Sequence, residues 1–147
     1  MKDIKGFFSE YRWLSNFWPA NINYNDFSYP SVEHAYQVAK LDEGDKKQNI
    51  LDQITHGQLP LGKDMKRVGK LIKPRSDWND VRLQVMEDLL RIKFSDANPE
   101  LKQQLIDTKS AYLEETNSWG DTFWGVCRDE GENHLGRLLM EIRSEIQ

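Results

Sequence analysis

The stretch Tyr29-Pro-Ser-Val-Glu-His-Ala-Tyr-Gln-Val-Ala-Lys40 decides how this chain is read. Pro30 ends an extended segment, and the Ser31 hydroxyl suits an N-cap, accepting from an orphan N–H of a helix's first turn. Val32, Ala35, Tyr36 and Ala39 follow the i, i+3, i+4, i+7 spacing of a buried stripe. The sequence therefore predicts a first helix over residues 31–40. Glu33, Gln37 and Lys40 recur at i, i+4, i+7 and form a second, polar stripe beside it. Such a row faces either a cleft or water. On these residues alone the simpler expectation is a surface ladder, worth about 0.2–0.5 kcal/mol per pair.

Before this helix, residues 4–8 are a candidate strand. Residues 22–29 alternate aromatic and polar around Asn25-Asp26, as a hairpin does. After it, Gly44-Asp45 breaks the chain, a second helix is expected over residues 46–56, and Gly57 and Pro60 end it. Residues 61–72 read as a third, basic amphipathic helix closed by Pro74. The fourth and longest helix is expected over residues 78–94, capped by Ser76 or Asp77. Wheeled at about 100° per residue, its apolar arc of Trp78, Val81, Leu83, Val85, Met86, Leu89, Leu90, Ile92 and Phe94 covers more than half the circumference. Arg82 and Lys93 fall near the middle of that arc. An unpaired charge there is costly, so each must snorkel, pair with a buried carboxylate or meet an anionic ligand. Lys93, at the helix end, has room to snorkel; Arg82 has less. Asn98-Pro99 starts a fifth helix to Asp107, residues 111–116 and 122–126 read as strands around a turn at residues 117–121, and a final helix from Asn133 or His134 carries Leu135, Leu138, Leu139, Ile142 and Ile146 as core.

The 147 residues suit one domain of common size. Charged residues make up 30% and hydrophobic residues 38%, and no apolar run approaches the ~20 residues of a membrane span. Residues 1–5 have no apolar h-region, and the lone Cys127 leaves no internal disulfide. Together these predict a soluble cytoplasmic protein. The net charge of −4 disfavours tight non-specific binding to duplex nucleic acid. One basic run exists, Lys63, Lys66, Arg67, Lys70, Lys73 and Arg75 against Asp64, and such runs are usually solvated helix faces.

His34, His56 and His134 have no paired spacing and there is no second cysteine, so no metal site is expected. Phosphate-loop and dinucleotide glycine strings are absent, and no cofactor is implied. Cys127 reads as a small hydrophobe. What remains is carboxylate chemistry: Glu33 on the polar stripe, and Asp121 in the turn Trp119-Gly-Asp-Thr-Phe-Trp-Gly125. Glycosidic cleavage asks for carboxylates to stabilise an oxocarbenium or activate water, aromatic walls for a leaving base, and a cation for phosphate. The five tryptophans, Trp13, Trp18, Trp78, Trp119 and Trp124, supply candidate walls, although burial is the default for any one of them.

The strings Leu14-Ser-Asn-Phe-Trp-Pro19, Tyr29-Pro-Ser-Val-Glu-His-Ala-Tyr-Gln37, Trp78 with Arg75 and Arg82 around it, Lys93-Phe-Ser95, Asp121-Thr-Phe-Trp-Gly125 and Asn133-His-Leu-Gly-Arg-Leu-Leu-Met-Glu-Ile-Arg143 together resemble the NADAR (YbiA-like) family. The resemblance runs from about Phe7 to Arg143 in one order. It implies an α+β, mostly helical single domain with a small sheet of short strands, spanning residues 1–147. It also implies N-glycosidase activity, on phosphoribosylamino-pyrimidine intermediates of riboflavin synthesis or on ADP-ribosylated guanine. By the same resemblance Glu33 and Asp121 are the expected acidic pair, with Lys40 near them. Phe17, Trp78 and Trp124 are ring-stacking candidates, Arg82 and Lys93 phosphate contacts, and Asn16 and Gln37 partners of the sugar or base. Trp18, often Tyr in the family, and the Gly120-Asp121-Thr122 sequence depart from the usual pattern and bear on which base is taken.

The expected partner is thus a small phosphoribosylated or ADP-ribosylated molecule, with nucleic acid only as a modified substrate and no membrane. A non-catalytic module binding NAD or ADP-ribose is the rival of another class; two retained carboxylates argue against it, since they repel phosphate. A structural protein whose Arg82 pairs internally with Glu33 or Asp121 is the blandest alternative.

Overall fold

The computed structural model describes residues 2–42, 48, 52 and 74–147. The helices expected over residues 46–56 and 61–72, and the basic run up to Lys73, lie outside the described residues. The chain divides into two compact units, a central one, Asn16–Lys93, and a terminal one made of Met1–Ser15 and Phe94–Gln147.

In the central unit, β2 (Ile22–Tyr24) and β3 (Phe27–Tyr29) form the anticipated antiparallel hairpin, with Ile22 opposite Tyr29 and Tyr24 opposite Phe27. Asn25 and Asp26 both take positive φ, 49° and 68°, as a two-residue hairpin turn matched to strand twist requires. Helix α1 (Val32–Lys40) follows, with the Ser31 Oγ accepting from the His34 N–H at 3.2 Å. Every residue from Val32 to Ala39 is buried, because α1 is packed by the hairpin and by the helix Trp78–Lys93. The surface-ladder expectation for Glu33 and Gln37 is therefore overturned: these two members of the second stripe are interior, while Lys40 at its end is only partly covered. An antiparallel bridge between Leu41 and Pro74, and an Arg75 N–H donating to the Lys40 carbonyl at 2.9 Å, fasten the start of the next described segment to the end of α1. Arg75 itself forks onto Asp77 at 2.5 and 2.8 Å.

Helix α2 (Trp78–Lys93) buries Trp78, Val85, Met86, Leu89, Leu90 and Lys93. That stripe is narrower than the apolar arc of the wheel, and Leu83, on its edge, is exposed. The wheel placed Lys93 correctly, but Lys93 does not snorkel: its exposure is 0%.

In the terminal unit, β1 (Ile4–Lys5) runs parallel to β4 (Leu113–Glu114), and β5 (Thr116–Asn117) parallel to β6 (Val126–Cys127). The strand expected over residues 4–8 stops early because Gly6 turns at φ 94°, and residues Ser9–Leu14 form a 3-10 turn. Its Trp13 meets Phe94 edge to face at 6.3 Å. Helices α3 (Pro99–Asp107), opened by proline, and α4 (His134–Ile146) pack together. α4 lies close on β4 because Gly136 has no Cβ; one would collide with the Leu113 carbonyl. Leu135, Leu139 and Ile142 are core as anticipated, while Leu138 and Ile146 are only partly covered. No helix among the described residues is long and apolar enough to cross a membrane.

Candidate active site

Glu33 reaches its position through backbone bonding at the start of α1. The Glu33 N–H, one of the helix's orphan donors, donates to the Asn16 carbonyl at 3.0 Å, which brings Asn16 alongside. One turn on, Gln37 Nε2 donates to Glu33 Oε1 at 2.9 Å. A carboxylate only accepts, so it fixes which way the Gln37 amide points. Glu33 is 7% exposed and Gln37 6%. Gln37 Oε1 is buried and accepts no hydrogen bond, and Asn16 Oδ1 is in the same state. Among the described residues the Asn16 amide nitrogen donates to the Met86 thioether, at 3.6 Å. The central unit therefore holds two unmet amide oxygens, one of them on the side chain that donates to the Glu33 carboxylate.

Its other anticipated residues divide by exposure. Trp78 is buried, its indole tilted against Tyr36 at 5.0 Å. Phe17 is largely exposed. Lys40 and Arg82 are partly covered, and the Arg82 Nε is buried. Burial pushes the Lys93 ammonium from its ordinary 10.5 down to about 7, since desolvation disfavours the charged form. His34, also buried, shares a 2.7 Å bond between its Nδ1 and the Ser31 Oγ, which ties the helix cap to its first turn.

Asp121 and Trp124 belong to the terminal unit. The Asp121 Oδ1 accepts from the backbone N–H groups of Phe123 and Trp124 at 3.1 and 2.9 Å. This capture is why residues 122–126 do not form the expected strand, of which only β6 survives: the N–H groups that would join a ladder are spent on a side chain. The carbonyls of Phe123, Trp124 and Gly125 in turn accept from the N–H groups of His134, Leu135 and Asn133 at the start of α4. Phe123 packs perpendicular to Trp124 at 4.9 Å and against the His134 ring at 4.5 Å. The Asp121 side chain is thus held through Oδ1 in a frame of satisfied backbone.

Sequence reasoning missed the residue that holds this frame. Asn117, buried, accepts from the Asp121 N–H at 3.0 Å through Oδ1, and its Nδ2 donates to the Asp121 carbonyl at 2.8 Å and to Glu115 Oε2 at 3.1 Å. Asn133 does the same one step back, accepting from the Glu115 N–H and donating to the Leu113 carbonyl, both at 3.0 Å. Gly125 sits where a Cβ would strike the Glu115 carbonyl and carboxylate. The only signal for Asn117 in the sequence was an amide four residues ahead of an acid in a glycine-bearing turn.

The family model described as the NADAR domain matches residues 5–147. The N-glycosidase YbiA of Escherichia coli is 33% identical over 151 residues, covering 90% of this chain and 88% of YbiA. A riboflavin biosynthesis protein of Vibrio vulnificus is 36% identical over 136 residues, 91% of this chain but 35% of that protein; the chain spans about a third of that longer relative. The NMR structure of E. coli YbiA superposes with a TM-score of 0.81 at 30% identity, covering 99% of this chain and 86% of that one. The arrangement of helices with small short-strand sheets is accordingly YbiA-like.

Proposed function

The chain belongs to the NADAR domain family, and from that premise we propose that it is an N-glycosidase that hydrolyses the ribosyl N-glycosidic bond of a phosphoribosylated base, an aminopyrimidine of the riboflavin pathway. In this reaction the C1′–N bond breaks with its electron pair on the base nitrogen, which takes up a proton. The oxygen of water bonds to C1′, giving ribose 5-phosphate and free base. The transition state is an oxocarbenium, so a nearby carboxylate lowers its energy electrostatically.

The observation that supports this reading most is the Glu33 carboxylate, kept in the interior of the central unit with the buried Gln37 amide donating to one of its oxygens. A charge so placed costs folding energy and earns retention when a cation develops beside it. In this reading Glu33 stabilises that cation or orients the water, Asp121 is the second acid, and Lys40 lies at the end of the helix that carries Glu33. Asn16 and Gln37 hold the sugar, Arg82 and Lys93 the phosphate, and Phe17, Trp78 and Trp124 the base. The names of the relatives, N-glycosidase and riboflavin biosynthesis protein, support the bond type and the pathway.

The test is a panel of phosphoribosylated aminopyrimidines, purine ribotides and ADP-ribosylated guanine, with released base read by mass spectrometry. Release of a pyrimidine, lost in Glu33→Gln, is expected. A wild-type protein that frees no base from any member overturns the reading, and release from ADP-ribosylated guanine alone replaces the substrate.

A further inference from the structure

We propose that the Gln37 Oε1 accepts a hydrogen bond from the 2′-hydroxyl of the ribosyl group, so that the site selects ribosides over 2′-deoxyribosides. The inference rests on the N-glycosidase reading and adds the feature of the sugar that is recognised.

The orientation of the Gln37 amide is not free. Its Nε2 donates to Glu33 Oε1 at 2.9 Å, and the reverse orientation would set two acceptors against each other. Oε1 is thereby committed to being an acceptor, in a residue 6% exposed, and it receives no donor from the described residues. Buried amide oxygens are nearly always met by a partner, and one that is not needs a reason. Asn16 Oδ1 is a second such oxygen, and Asn16 is itself bonded to Glu33 through the backbone. A carboxylate and the amide oxygen of its own hydrogen-bond partner are both acceptors. Phosphate oxygens, also acceptors, gain nothing from them. A group rich in O–H donors fits them, and a ribosyl ring carries two on neighbouring carbons. If Glu33 faces the cation developing at C1′, the nearest donor on the sugar is the hydroxyl of the adjacent carbon, C2′. The nearest unmet acceptor on a group bonded to Glu33 within the helix is that of Gln37.

The experiment is a cycle between one side chain and one hydroxyl. A phosphoribosylaminopyrimidine and its 2′-deoxy counterpart are given to the wild type and to Gln37→Met, and each kcat/KM is divided by the uncatalysed rate of the same compound. The division matters because removing the 2′-hydroxyl speeds the uncatalysed reaction. The expected result is a corrected preference for the riboside on the order of 10- to 100-fold in the wild type, the range for leaving a buried polar group unmet. That preference should shrink at least several-fold in Gln37→Met, chiefly through loss on the riboside. Cleavage of both compounds by the wild type with equal corrected rates overturns the inference while leaving the N-glycosidase reading intact. So does a preference unchanged by Gln37→Met. Cleavage of neither overturns the reading on which it rests. If Gln37→Met does not fold, the wild-type pair alone decides.

Discussion

The two carboxylates are held in opposite ways. Glu33 is buried in a helix and gripped by a side chain whose own oxygen has nothing to accept. Asp121 is partly exposed on a loop, and its Oδ1 is met twice by backbone, with Asn117 bracing the same residue's N–H and carbonyl. One region leaves hydrogen-bonding capacity in its interior; the other closes its own. Each region also buries a cation. Arg143, its guanidinium also disfavoured by burial, donates to the Thr108 hydroxyl at 2.9 Å, and that hydroxyl donates to the Leu105 carbonyl. Lys93 keeps a depressed ammonium. The difference separates groups that shape the fold from groups whose burial is a cost to the fold.

Replacing each acid by its amide should produce the largest effects and test this division most sharply. Glu33→Gln should lower kcat/KM by about 10²–10⁴ with little loss of stability, since a neutral amide replaces a buried charge. Asp121→Asn should also lose activity, yet keep the loop, because its Oδ1 can still accept from Phe123 and Trp124. Asp121→Ala should lose both, destabilising by roughly 1–3 kcal/mol. Urea melts of the three variants beside base-release rates make the comparison, and Asp121→Ala as stable as the wild type would break it.

Lys93 gives the next largest effect. With its native pKa at about 7 against an ordinary 10.5, the unfolded chain binds a proton that the native protein lacks between those values. Stability should therefore rise with pH through that window, by up to about 1.4 kcal/mol per pH unit for one proton. Below about pH 7 the group contributes no slope. Lys93→Met should flatten the rise and leave the protein more stable at pH 7, while weakening turnover if the lysine serves a phosphate. A wild-type stability curve as flat as that of the variant would show that the ammonium is not perturbed. In the terminal unit, Asn117→Ala should cost about 1–3 kcal/mol and lower kcat more than it raises KM, since Asn117 acts on the position of Asp121 rather than on substrate.

Much of this was legible locally. The hairpin around Asn25-Asp26, the Ser31 cap, the stripes of α1, α2 and α4 and the odd placement of Arg82 and Lys93 all follow from spacing within a dozen residues. The burial of Glu33 and Gln37 was not, because a polar stripe becomes interior only when other elements cover it, here the hairpin and α2. Nor was the loop at residues 121–125 legible: its residues suit a strand, and the competing bonds come from one side chain and from a helix that begins at His134. Asn117 escaped notice for the same reason, since an amide's role is set by what it meets in space.

The smallest effect sharpens the comparison from the side of the cap. Ser31 Oγ accepts from the His34 N–H and is bonded to the His34 ring, while the next orphan donor, the Glu33 N–H, is satisfied by the Asn16 carbonyl. Ser31→Ala removes both Ser31 bonds and leaves the Glu33 N–H bond in place, so the cost should be about 1–2 kcal/mol, the range of an N-cap. Activity should hold, because Glu33 keeps its backbone anchor and its Gln37 partner. Ser31→Gly should cost less still. A loss of activity in Ser31→Ala out of proportion to its melt would mean that the serine–histidine pair, and not the Asn16 carbonyl, sets the position of Glu33.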